Sequence, residues 1–473
     1  MATEPISFLL ETPRFRYLYD VNTNVIKKIS PELYEALTQK KELGEKLSRE
    51  IKALNDEGIA MPTKAETVMH PFTKFTKFAT DRNMYQLVLQ VTQGCNLRCS
   101  YCAFTNGEGS RHHSSKRMSW ETAKKALDFF LRHTVDRNAV VISFYGGEPL
   151  LEFGLIKKCV AYADEIFEGK KHDFIMTTNA TLLDDEKVDF LVEHKFRLTF
   201  SVDGPQKLHD KNRKFAKDGS GSFNTVIANI HRLLERYPDY RPNLAVNMVM
   251  DPQCDFDEFS RLFADEALLK GLSVTPTLVD SYKLNTTYTA SEDYVSKQNY
   301  SEFLTLLNFF GYLKDASTLS AISHYELMSD LWHQINGRQP AFGEIVCPAG
   351  PCVPISHRMM ISTDGMILPC ERVNELNPAM QLGTLDTGVD VEKVKAMLNV
   401  AQLTAEECKR CVAFRYCKIC AKYCDGDTEL TREERLKGCA GNKQYAATML
   451  ELRILLDEVY TYYNRFKVRG GSL

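Results

Sequence analysis

From residue 85 to residue 280 the chain alternates short apolar runs with stretches of helical periodicity, six times over. The runs are YQLVLQVT (85–92), AVVISFY (139–145), DFIMTT (173–178), RLTFSV (197–202), NLAVNMVM (243–250) and LSVTPTLV (272–279). Helical spacing fits 120–133, 154–168, 185–194, 223–237 and 256–268, and in the fourth of these Val226, Ile230, Leu233 and Tyr237 share one face. Six strand–helix units imply parallel strands, an open or closed barrel, and chemistry at the C-terminal strand ends. The expected class is therefore α/β, a partial (β/α)6 TIM-like barrel over 81–300.

The flanks read differently. Residues 1–80 are expected to form a small α+β unit of winged-helix-like form. Phe15, Tyr17 and Tyr19 alternate with polar neighbours, VNTN makes a turn, and Val25–Ile29 returns as a second strand. Ser30-Pro31 then opens a helix, serine as N-cap and proline in the first helical position. A second helix carries Leu43, Leu47, Ile51 and Leu54 on one face. An exposed strand edge here could take up an extended peptide by strand addition. A helical bridge is expected over 301–345, then a cysteine- and loop-rich domain over 346–473 with a closing helix near 441–465.

Composition limits the partners. Apolar residues make up 44% and charged residues 26% of the 473, ordinary for a soluble globular protein. A net charge of −3 offers no basic field for nucleic acid or an anionic membrane. No stretch approaches the roughly 18 apolar residues of a membrane span, and the N-terminus lacks the apolar segment of a signal peptide. A cytoplasmic protein with neither nucleic-acid nor membrane partner is expected. In reducing cytosol, fourteen cysteines point to metal or catalysis. Twelve fall into two groups, at 95–102 and 347–439; Cys254 stands alone, and Cys159 reads as a small buried hydrophobe on a helix.

The first group, Cys95, Cys99 and Cys102, follows the first strand with C-x3-C-x2-C spacing. Three thiolates in one loop leave one iron of a 4Fe–4S cluster without a protein ligand, a vacancy that a bidentate small molecule can fill. Zinc is the alternative, but structural zinc takes four protein ligands, and only His112 and His113 could be proposed.

With that motif in place, residues 85–280 resemble the radical S-adenosylmethionine (SAM) superfamily. The resemblance implies that Tyr101 lies near the adenine and that Gly146, Gly147 and Glu148 of GGEP receive the methionyl ammonium group. It implies a SAM contact for Ser201 in SVDG, and pairing of Arg213, in HDKNR, with the methionyl carboxylate through two parallel hydrogen bonds. Asn179, in TTNA, is a further pocket candidate. Singly, these are ordinary turns and an ordinary surface charge; their order carries the likeness. The implied reaction is reductive: the cluster delivers an electron, SAM splits to methionine and a 5′-deoxyadenosyl radical, and that radical removes a substrate hydrogen. The protein orients the partners and excludes competing reactions.

The second group resembles the SPASM extension, which binds two auxiliary 4Fe–4S clusters in radical SAM enzymes acting on peptides and proteins, making three clusters in all. The resemblance assigns Cys408, Cys411, Cys417 and Cys439 to the outer cluster. It assigns Cys347, Cys352 and Cys370 to the inner one, with a fourth ligand from 420–424. The family spacing there is Cys-x5-Cys-x3-Cys, whereas this chain has x2 to Cys420 and x6 to Cys424. Cys420 is the favoured ligand; Cys424, or an open site for a substrate thiolate, stays open. A zinc ribbon is the alternative for the C-x2-C pair. Glu371, directly after Cys370, resembles in position an aspartate base of the sulfatase-maturing branch and is the candidate acid/base or orienting group. The plainer reading is a surface glutamate or a partner of a cluster loop.

The N-terminal unit resembles the leader-recognition element of maturases of ribosomally made peptides, and the stretch CERVNE…LGTLD after Cys370 resembles such maturases too. The implied function is a ranthipeptide- or sactipeptide-type maturase. It would join cysteine sulfur to carbon in a precursor peptide bearing a leader, with electrons from a flavodoxin- or ferredoxin-type donor. Carbon–carbon cross-linking is a near neighbour. An anaerobic sulfatase-maturing enzyme, forming formylglycine, shares the core but normally begins close to the cluster motif. An iron–sulfur electron carrier would have no use for GGEP or the Ser201/Arg213 register.

Overall fold

The computed structural model describes all residues except 1–5, 108–111, 266–268, 270, 316–318, 321, 324, 326, 328, 330–339, 349, 351 and 468–473. It opens with an antiparallel sheet of β1 (Ser7–Glu11), β2 (Arg16–Asp20) and β3 (Val25–Ile29), in that order. The β2–β3 hairpin is the one expected from alternation, Tyr19 facing Ile26 across it. Its turn places Asn24 at φ 59, a left-handed position that asparagine tolerates. β1 was not expected, because SFLLE shows no clear alternation; it is a strand through its pairing, Leu10 facing Tyr17.

Ser30 caps α1 (Pro31–Thr38), its Oγ accepting from Leu33 N at 3.1 Å. Glu50 of α2 (Glu45–Asp56) accepts from both Ser30 N and Ser30 Oγ, which ties the two helices together. Leu47, Ile51 and Leu54 of α2 pack on Leu18, Ile29 and Leu33, as their spacing predicts; Leu43 joins them from just before the helix rather than within it. Tyr17 and Tyr19 turn to the other side of the sheet, where they meet Phe414, Leu450 and Ile454. The short β4 (Thr67–Val68) pairs in parallel with Ile345–Val346.

After α3 (Thr76–Arg82) come the six expected strands: β5 (Gln86–Thr92), β6 (Ala139–Gly146), β7 (Lys171–Thr178), β8 (Arg197–Ser201), β9 (Leu244–Met250) and β10 (Ser273–Leu278). They lie parallel and side by side in chain order. Between them run α4 (Trp120–His133), α5 (Phe153–Ile166), α6 (Asp185–Glu193), α7 (Gln206–Asn212), α8 (Phe223–Arg236) and α9 (Phe256–Asp265), with α10 (Glu292–Phe309) after the last strand. Every β5 residue is buried, and α8 buries Val226, Ile230 and Leu233 as expected. Tyr237 falls just past the end of α8, and its hydroxyl reaches Asp189 instead. Cys159 is wholly buried within α5.

The class is thus mixed α/β with a partial barrel. The sheet does not stop at β5. Ile345–Val346 counts as β11, and after it β12 (Met359–Ile361) pairs in parallel with β5 and β13 (Ile367–Leu368) pairs antiparallel with β12, giving eight strands.

By internal contacts the chain forms two units, 1–74 with 330–352 and 395–473, and 75–329 with 353–394. The stretch expected as one domain over 346–473 is therefore shared, because the β12–β13 hairpin joins the barrel sheet. The bridge expected over 301–345 begins within α10, and much of it lies outside the described residues. Among the described residues no helix is long and apolar enough to cross a membrane.

Candidate functional site

β5 runs directly into the loop of Cys95, Cys99 and Cys102, and neighbouring backbone fixes the loop's path. Gly147 N donates to Thr92 O at 3.0 Å and Glu148 N to Gly94 O at 2.9 Å. A Cβ on Gly146 would stand 2.2 Å from Thr92 O, and one on Gly147 2.1 Å from Gly94 O. Gly146 also has φ 146, which side-chain-bearing residues rarely adopt. The two glycines therefore let the end of β6 lie against the cysteine loop.

Glu148 is buried and fully employed. Its carboxylate accepts from Leu150 N, Thr178 Oγ1 and Asn179 N, at 3.1, 2.7 and 2.8 Å. Burial raises its pKa above the usual range, and the three donors pull the other way. Asn179 carries the contact onward, Nδ2 donating to Asn96 Oδ1 at 2.9 Å and lying 3.9 Å from Cys95 Sγ. Glu148 and Asn179 thus join the ends of β6 and β7 to the cysteine loop. From the other side, Arg98 N donates to Lys214 O and Ser100 N to Asn212 O.

The three loop cysteines are free thiols. Burial pushes Cys95 up to about 11 and Cys99 up to about 12, and Cys102 presses both the same way. Donors already point at two of the sulfurs: Leu97 N is 3.4 Å from Cys95 Sγ and Arg213 Nη1 is 4.0 Å from Cys99 Sγ. The donor set fits an iron–sulfur cluster with one iron left open.

Arg213 is not a solitary charge. Its Nε donates to Asp203 Oδ2 at 2.8 Å, with the side chains only 8% and 1% exposed. Tyr101 donates its hydroxyl to the same oxygen, and Val249 N donates to Asp203 Oδ1. Burial opposes the Arg213 charge, and the Asp203 carboxylate more than restores it. The guanidinium also lies over the Tyr101 ring, 5.6 Å from its centroid. Behind the pair, His209 Nδ1 accepts from Asp203 N, and its other nitrogen meets Ser222 Oγ at 3.0 Å. Burial lowers the His209 pKa to about 4, so the ring is neutral. Ser201 ends β8 with its hydroxyl free of any hydrogen bond among the described residues.

Asp203 was missed as a site residue, although SVDG contains it; its role appears only once Tyr101 and Arg213 are seen to meet there. Glu375 was missed as well. Its carboxylate accepts from Gln90 Nε2 at 3.0 Å and Gln93 Nε2 at 3.2 Å, beside the cysteine loop. Glu371 lies elsewhere, next to the start of β5. It pairs with Arg358 at 2.5 Å, whose Nε donates to Gln86, and its Oε2 is buried without a partner. Six residues of strand at about 3.3 Å each separate Gln86 from Thr92, roughly 20 Å.

The other unit holds Cys347, Cys352, Cys408, Cys411, Cys417, Cys420, Cys424 and Cys439; Cys370 follows β13 in the barrel unit. Cys411, Cys417 and Cys439 are each shifted upward by burial first, with Cys408 a further cause. Burial likewise raises Cys347 to about 11, and Cys408 and Cys417 add to it. Among the described residues no three His, Cys, Asp or Glu side chains converge as a single-ion site.

Residues 89–264 match the family model described as the Radical SAM superfamily. A cysteine-type anaerobic sulfatase-maturating enzyme of Clostridium perfringens is 24% identical over 366 residues, 73% of this chain and 91% of the relative. An uncharacterized protein of Methanocaldococcus jannaschii is 37% identical over 143 residues, so the chain spans less than half of that relative's length, 46%. Among solved structures, native anSMEcpe with bound AdoMet superimposes with a TM-score of 0.57 at 21% identity, covering 78% of this chain and 99% of that one. That likeness shows the shared fold.

Proposed function

We propose, from the premise that residues 89–264 belong to the radical SAM superfamily, that the chain is a SAM-cleaving maturase of a ribosomally made peptide. The observation that carries the reading is the loop of three cysteines outside any disulfide beside the buried Asp203–Arg213–Tyr101 group. When bound, a 4Fe–4S cluster on Cys95, Cys99 and Cys102 supplies the electron that splits SAM and so generates a hydrogen-abstracting radical.

The chain's own residues hold and orient. Gly146 and Gly147 keep the cluster loop against β6, and Glu148 and Asn179 brace it. Asp203 fixes the Arg213 guanidinium through Nε, and Nη2, without a partner among the described residues, is left for the methionyl carboxylate. Tyr101, tied to Asp203, offers its ring to the adenine. Ser201 keeps a free hydroxyl for the same ligand.

The substrate reading rests on the other unit. The β1–β2–β3 sheet has both faces packed and ends in two strand edges, which suit an extended leader peptide. The auxiliary cysteines would hold two further clusters, Cys408, Cys411, Cys417 and Cys439 the outer one. The product is a thioether from a cysteine sulfur to a carbon, and the electron donor is of flavodoxin or ferredoxin type. Formylglycine formation is the second reading, favoured by the likeness over 73% of the chain to the sulfatase-maturating relative.

The test incubates anaerobically reconstituted protein with SAM, reductant and a cysteine-containing precursor encoded beside its gene. Loss of two hydrogens together with loss of an alkylatable thiol supports the thioether; loss of the sulfur atom supports formylglycine. The isolated leader should block peptide processing while sparing SAM cleavage. Processing that ignores excess leader would contradict the role of the N-terminal sheet.

A further inference from the structure

Among the described residues Arg435 is the largest wholly buried side chain, 1% exposed. Its guanidinium cannot shed its proton and carries five donors in a fixed fork. No carboxylate meets it among the described residues. Nε donates to Thr404 Oγ1 at 2.9 Å and Nη1 to Ile419 O at 3.4 Å. The remaining acceptors are sulfur: Nη1 lies 4.0 Å from Cys424 Sγ and Nη2 lies 3.9 Å from Cys408 Sγ.

A permanent buried cation needs an anion beside it. As thiols, Cys408 and Cys424 do not supply one; as iron ligands they do. Cys408 is one of the four cysteines that the auxiliary-cluster reading gives to the outer cluster. Cys424 is completely buried at the end of the turn Ala421–Cys424. Cys420, four residues earlier, is partly exposed, and its carbonyl rather than its sulfur is engaged, accepting from Tyr423 N.

We propose that Arg435 is the built-in counter-cation of the auxiliary iron–sulfur centres, and that its position makes Cys424, not Cys420, the ligand drawn from the 420–424 stretch. The proposal rests on the auxiliary-cluster reading above. Arg435 acts as a positioning residue: its N–H groups point at ligand sulfurs of both sets, and its charge favours the more negative, reduced state. Hydrogen bonds to sulfur and local charge are the levers that set cluster potential.

The test counts iron and titrates potential by electron paramagnetic resonance, in the full chain reconstituted under anoxia. Cys424→Ala should lose about four irons, one cluster's worth, while Cys420→Ala keeps the wild-type count. Arg435→Met should lower the auxiliary midpoint so that the reduced fraction at fixed potential falls about tenfold, equal to about 59 mV for a one-electron couple. Arg435→Lys should restore most of it. Iron lost from Cys420→Ala but not from Cys424→Ala overturns the proposal, as does an unchanged potential in Arg435→Met. If Arg435→Met does not fold, the cysteine pair still decides. A wild-type chain that binds only about four irons overturns the auxiliary-cluster reading itself.

Discussion

Replacing Arg213 by methionine should destabilise the barrel unit by about 3 kcal/mol, because it strands a buried carboxylate. Asp203 is 1% exposed and would keep only Tyr101 and Val249 N as donors. Removing one partner of a buried ion pair costs about 3–5 kcal/mol, and two surviving hydrogen bonds place this case at the lower end. Asp203→Asn should cost a similar amount for the converse reason, leaving the guanidinium unpaired. The double variant buries no charge at this spot and should cost clearly less than the sum, with a coupling near the upper part of the usual ~0.5–3 kcal/mol range. The assay is urea unfolding of the apo chain with Trp332 replaced by phenylalanine, so that Trp120 at the start of α4 reports on the barrel unit. At a urea slope of about 2–3 kcal/mol/M the midpoint should fall by roughly 1 M or more. Single variants that each cost under about 1 kcal/mol, with costs that simply add, would refute the buried-pair account.

Two other outcomes follow from the same geometry. Gly147→Ala puts a methyl group 2.1 Å from the Gly94 carbonyl, which cannot swing aside; it should cost about 1–3 kcal/mol and lower iron retention. Gly154→Ala, with nothing within 4 Å, should retain wild-type iron. His209 titrates near 4 when folded and near 6.5 when unfolded, so between those values the unfolded chain holds the extra proton. Its contribution is therefore intact above pH 6.5 and is lost as pH falls from 6.5 towards 4, up to about 3 kcal/mol in all. His209→Gln should flatten the apo chain's stability profile across that window; an unaltered slope would show that the ring is not held neutral.

The barrel strands were legible in the sequence to within a residue or two, because each apolar run is bounded by turns and helices with clear caps. Helix 120–133 is an instance: Ser119 Oγ accepts from Thr122 N at 3.1 Å and starts it where the pattern does. β12 and β13 were not legible. Three and two residues long, they are strands only through pairing with β5 and with each other. The cysteine loop was legible as local spacing. Its surroundings were less so, since Asp203 acquires its role from partners 10 and 102 positions away. Glu148 and Asn179 were expected in the SAM pocket from the resemblance; what their hydrogen bonds show is that they brace the ends of β6 and β7. Glu371 was singled out by its neighbour Cys370, whereas distance along β5 is a property of register that no motif displays.

The loop of Cys95, Cys99 and Cys102 is what should make this chain a SAM-cleaving enzyme. The direct measurement is 5′-deoxyadenosine released from SAM under anoxic reducing conditions, with iron counted on the same samples, for the wild type and the triple alanine variant. The wild type should release it and the variant should not, losing about four irons while the auxiliary signal is retained. Undiminished 5′-deoxyadenosine formation by the triple variant would contradict that role of the loop.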